Sequence, residues 1–74
     1  MSKTLGQKLV GINFNPSSLS AVDEAKQKSA DLIDLVNTST VDSMSSDAQL
    51  ICDEAIRRIM DAQMWAVKAI TWKD

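Results

Sequence analysis

Histidine and tyrosine are missing from this chain, and cysteine, proline and phenylalanine occur once each. A single cysteine leaves no internal disulfide, and without histidine there is no cysteine–histidine nucleophile. Zinc lacks a ligand set for the same reason. Cys52 stands mid-helix on an apolar stripe and reads as a small buried hydrophobe. Neither sign of charge dominates: eight Lys+Arg stand against ten Asp+Glu, a net charge of -2. With no basic tail or basic helix face, duplex DNA is disfavoured as a partner. No apolar run approaches a membrane span, and the N-terminus lacks the apolar region of a signal peptide. The expectation is a soluble, cytoplasmic chain with no membrane partner.

Catalysis needs an acid or base and a nucleophile converging in one pocket. Here the carboxylates are scattered over what read as solvated helix faces. Asp53 and Glu54 are consecutive on a helix and point about 100° apart. No catalytic residue, metal site or cofactor is expected, and the chain reads as a non-enzyme.

What is present is helix. From Ser46 to Trp72 nothing breaks a helix, and Ser46 with Gln49 reads as a capping box at its start. Cys52, Ala55, Ile56, Ile59, Ala62, Ala66, Ala69 and Ile70 make one wide apolar stripe. Met60, Met64, Val67 and Thr71 make a second, with Trp65 and Trp72 beside it. A helix apolar on nearly every side must be buried by something. One partner helix cannot cover both stripes, so further copies of the chain are expected.

Upstream, Asn15-Pro16 suits a helix start, with Asn as cap and Pro in the first turn. Ser17, Ser18 and Ser20 offer later caps, and a helix N-terminus dressed with Ser and Asn also suits an anion. The helix runs to Val36 on a stripe of Leu19, Val22, Ser29, Ile33 and Val36, with Asp31 and Asp34 in solvent. Residues 37–45 are polar and aperiodic and read as a loop whose Val41 and Met44 tuck back. Before Asn15, alternation of Val10, Ile12 and Phe14 reads as an extended segment, and Gly6 and Gly11 discourage a helix. The 74 residues form one domain. The fold class is all-α: an antiparallel two-helix hairpin with an extended N-terminal arm, assembled as a homo-oligomer. Its parts are the arm 1–15, helix 16–36, loop 37–45 and helix 46–72.

Binding chemistry rests on few residues. Lys26 and Lys28 lie midway along the first helix; Arg57 and Arg58 read as surface partners of Asp53, Glu54 or Asp61. Lys68 interrupts the apolar run WAVKAITW. It either snorkels to solvent or meets its copies at a protomer junction, where like charges need a polyanion between them. Trp65 and Trp72 read as core or interface. Phe14, beside the Ser and Asn groups, is placed to stack on a base.

The run VGINFNPSSLSAVDEAKQKSADLIDLV, a polar loop and a long helix ending AQMWAVKAIT resemble the small phage anti-CBASS proteins over roughly residues 9 to 72. That family sequesters the cyclic oligonucleotides made by bacterial immune cyclases, and shares its helical hairpin with the anti-Thoeris sponges. The resemblance implies a hexamer in the host cytoplasm that binds cyclic dinucleotides between paired protomers near the N-terminal arms. It also implies separate cyclic trinucleotide pockets where three protomers meet. Carried over by position, Lys26 engages phosphate, and Lys68 stands where some relatives have arginine, without the bidentate fork. The family's stacking tyrosine has no tyrosine counterpart, and Phe14 would supply the ring. Asn13, Asn15, Ser17 and Ser18 are then the candidate contacts to base edges or phosphate. A different class, a helical oligomeric adaptor or a protein inhibitor acting through the apolar C-terminal helix, fits the same grease. A DNA-binding helix-turn-helix is disfavoured by charge and by the length of the last helix.

Overall fold

The segment expected to be extended is helical at its centre. The computed structural model describes residues 2–40 and 45–74. Over these the protein is all-α, with α1 at Leu5–Val10, α2 at Ser20–Thr40 and α3 at Ser46–Thr71, and no strand among the described residues.

Helix α1 corrects the reading of residues 1–15 as an extended arm, and its cause is a local signal in T-L-G-Q. The Thr4 hydroxyl accepts the Gln7 N–H at 3.1 Å, and the Gln7 side chain accepts the Thr4 N–H at 3.0 Å. This reciprocal capping box starts the helix, and it outweighs the alternation of Val10, Ile12 and Phe14. Gly11, left-handed at φ 63°, ends it. Gly6 sits inside α1 because the backbone of α2 leaves no room for a side chain. A Cβ there would stand 2.2 Å from the Ala30 carbonyl oxygen. The Gly6 N–H, which the start of a helix leaves without a helical partner, donates to Asp34 Oδ1 at 2.7 Å. Asp34 is thus half-buried at the α1–α2 seam and does not lie in open solvent.

Helix α2 begins at Ser20 and ends at Thr40, later at both ends than the expected 16–36. Side chains in N-P-S-S hold a turn that competes with helix. Asn15 Nδ2 donates to the Leu19 carbonyl at 2.8 Å and to Asp23 Oδ1 at 3.0 Å, and Ser17 Oγ donates to Asn15 Oδ1 at 2.6 Å. Ser18 has φ 60°, which no right-handed helix accepts. At the far end the expected loop 37–45 is helical through Thr40, and the Thr38 hydroxyl returns to the Asp34 carbonyl at 2.9 Å. Val41 and Met44 lie outside the described residues. Helix α3 matches its expected span to within a residue, but its cap is Ser45, whose hydroxyl accepts the Ala48 N–H at 3.1 Å. Gln49 makes no capping box with Ser46; its amide donates to Asp53 at 2.8 Å.

Val10, Ala30 and Ile33 form the buried centre, with Leu9, Ile12, Ile56, Ile59 and Met60 packed on it. The molecule is a slab with principal extents of 45 × 31 × 12 Å and a radius of gyration of 13.6 Å. A compact domain of this length would have a radius near about 11 Å, so the helices lie side by side more than they enclose a core. On α2 the inward row is Val22, Lys26, Ala30 and Ile33, at spacings of four, four and three. On α3 the inward row beyond Cys52 is Ile56, Ile59, Met60, Gln63, Val67 and Thr71. The Ala62, Ala66 and Ala69 edge stays exposed, as do Leu50, Ile51, Met64, Trp65 and Trp72.

Candidate functional site

Lys26 is the least expected member of the buried row. It is 5% exposed, although a buried lysine is rare without a partner. Its position follows from spacing: Val22 and Ala30, one turn before and after, both face inward. The turn after α1 supplies acceptors. Nζ donates to the Gly11 carbonyl at 2.9 Å and, by a short bond, to the Phe14 carbonyl. The same ammonium lies 5.3 Å from the centre of the Phe14 ring, within range of a cation–π contact. Lys26 thereby staples residues 11–14 onto α2. Among the described residues no carboxylate pairs with it; the ion pairs there join Glu24 to Lys28 and Glu54 to Arg57 and Arg58. An ammonium carries three donors, and the two carbonyls occupy two of them.

Lys26 faces a groove of about 650 Å³ bounded by the end of α1, the turn that follows, α2 and the second half of α3. Its walls are largely apolar, with Val22 on one side and Met60, Met64 and Val67 on the other. Phe14, 71% exposed, stands at the rim with Asn15 and Ser17. Lys8, a second cationic residue, also lines the groove, and among the described residues its lining includes no carboxylate. The local field is therefore positive on a chain whose net charge is -2.

Four of the seven residues singled out from the sequence share this groove: Phe14, Asn15, Ser17 and Lys26. Asn13 and Ser18 are exposed on the same turn but do not line it. Lys68 lies elsewhere, exposed on α3, where its ammonium sits 4.9 Å from the Trp65 ring centre and 5.8 Å from that of Trp72. The two rings hold it at the surface in a cation–π clasp.

Gln63 is the groove residue that the sequence reading passed over. It is 6% exposed and lines the groove among apolar neighbours. Its signal was spacing: it stands three residues after Met60 and four before Val67, inside an apolar row. The arrangement is that of a binding cleft, with apolar walls, few polar groups and a cation that no carboxylate pairs among the described residues. The molecule is thus an all-α chain with a small cationic groove between its helices. Comparison with models of known families, with curated proteins and with solved structures finds no match.

Proposed function

We propose that this chain is a noncatalytic sponge that binds and withholds cyclic dinucleotide immune signals, and in separate pockets cyclic trinucleotides, so that a host CBASS effector stays off. The observation that carries the reading is Lys26: a cation buried to 5% exposure without an ion pair among the described residues, beside a largely apolar groove. Burying a charge is costly unless something compensates it. Two carbonyls compensate in part, and a phosphate at the remaining donor would complete the neutralisation. The volume and apolar walls suit a heterocycle, and Phe14 at the rim offers a face for stacking.

In this reading α2 and α3 form an antiparallel hairpin, and several copies assemble, as the family resemblance implies, into a hexamer. Two observations support it. Val22 near the start of α2 shares the groove with Val67 and Thr71 near the end of α3, while Ile56 packs with the Ile33 cluster. The apolar residues Leu50, Ile51, Trp65 and Trp72 are each more than 60% exposed, more than a lone small chain usually leaves clustered on one helix.

Titration calorimetry with a panel of cyclic dinucleotides tests the proposal. Heat with at least one of them at tens of micromolar is expected, lost on Lys26→Met while the helical circular dichroism remains. Silence across the panel sinks it. The exposed Trp65 and Trp72 also favour a second reading, an adaptor or inhibitor that docks a protein through α3. That reading expects a monomer or dimer by light scattering and indifference to Lys26; the sponge expects about six times the 8.1 kDa chain mass.

A further inference from the structure

Gln63 is a buried residue of the groove wall, yet its side-chain amide bonds to no protein group among the described residues. Gln63 is 6% exposed, and no buried side-chain nitrogen or oxygen among the described residues lacks a partner. With no protein bond of its own, the amide must therefore open into the groove space that Gln63 lines. Its neighbours there, Met60, Met64 and Val67, offer neither a strong donor nor a strong acceptor. An amide that reaches only the groove space must find its hydrogen-bond partners there, and leucine or methionine would fill the same wall with no polar group to satisfy. Across the groove stands the Lys26 ammonium with one donor to spare. An acceptor-plus-donor pair and a cation on facing walls of an apolar slot match a ligand that is planar, polar along one edge and anionic nearby.

We propose that Gln63 is the base-reading residue of this groove, its amide hydrogen-bonding the edge of a nucleobase whose phosphate is held at Lys26. The inference rests on the cyclic dinucleotide reading above and adds to it the group that recognises the base. The amide oxygen accepts from an exocyclic or ring N–H, and the amide nitrogen donates to a neighbouring ring nitrogen or carbonyl. Adenine needs both halves of the amide, because its exocyclic amine lies beside ring nitrogens that only accept. Guanine offers adjacent N–H donors that a carboxylate alone can engage.

Two variants separate base reading from packing. Gln63→Met keeps length and burial but removes donor and acceptor, and is expected to weaken every cyclic dinucleotide that wild type binds by about tenfold or more. Gln63→Glu keeps the acceptors and removes the donor. Its negative charge acts equally on cyclic di-AMP and cyclic di-GMP, which carry the same phosphates, so their affinity ratio isolates the base edge. That ratio is expected to shift toward cyclic di-GMP by about tenfold. Circular dichroism melts confirm folded variants, and if Gln63→Glu fails to fold, the Gln63→Met affinities decide. Wild-type binding with Gln63→Met within about twofold of it overturns the role of Gln63 and leaves the sponge reading intact. An unshifted ratio in a folded Gln63→Glu does the same. Absence of binding by wild type overturns both.

Discussion

Replacing Gly6 with alanine in this molecule should reverse the sign of a familiar effect. In a helix interior glycine to alanine ordinarily stabilises by about 0.5–1 kcal/mol. Here the new Cβ would meet the Ala30 carbonyl oxygen at 2.2 Å, its carbon at 2.8 Å and its Cα at 2.9 Å. All three are backbone atoms of α2, so no side-chain rotation relieves the clash. Helix α1 must retreat, and the Gly6 N–H loses its 2.7 Å bond to Asp34 as it does. Overpacking of this kind costs about 1–3 kcal/mol, and the upper end applies where backbone meets backbone. Less the propensity gain, the net loss is about 2 kcal/mol, a fall in Tm of roughly 8–16 °C for a chain this short. The assay is a thermal melt followed by circular dichroism at one fixed protein concentration, since the proposed assembly would make Tm depend on concentration. Ala30→Gly is the control: it removes a methyl but leaves the clashing carbonyl, so it should not rescue Gly6→Ala. An alanine variant as stable as wild type, or more so, would refute the close backbone approach of α1 and α2.

Three further outcomes follow from the geometry. Asp34→Ala removes the carboxylate that accepts the Gly6 N–H and should cost about 1–2 kcal/mol, read in the same melt, while Asp31→Ala on the exposed face should cost little. Glu54→Gln breaks the contacts to Arg57 at 3.8 Å and Arg58 at 2.9 Å, yet both arginines are solvated, so stability in urea should change by no more than about 0.5 kcal/mol. Trp65→Glu places a charge on the exposed apolar edge of α3 and removes one wall of the Lys68 clasp. The proposed assembly predicts that light scattering then reports a smaller species than wild type with its helix content intact.

How far the site could be read in advance differs residue by residue. Phe14, Asn15 and Ser17 were singled out as an aromatic and polar groups beside an expected helix start, whereas Lys26, midway along that helix, entered through the family resemblance. That Lys26 is buried was not legible, because its burial needs the carbonyls of Gly11 and Phe14 to arrive from another element. Asn13 and Ser18 share the composition of their neighbours but not their direction, and a left-handed Ser18 turns the chain there. Gln63 was hidden because one polar residue in an apolar row reads as solvated until the facing helix is known.

By itself the sequence determined the helical class, the long final helix and the excess of apolar surface on it, because period and capping are local properties of the chain. It also contained α1, in a Thr4–Gln7 pair whose signal was overlooked beside the alternation that follows. Only packing decided that the inward row of α3 takes Cys52, Ile56 and Ile59 from one stripe and Met60, Val67 and Thr71 from the other. The row through Met60, Gln63 and Val67 faces α1 and α2 because Gly6 lets those two helices meet backbone to backbone, and the groove with Lys26 and Gln63 opens where α1 stops.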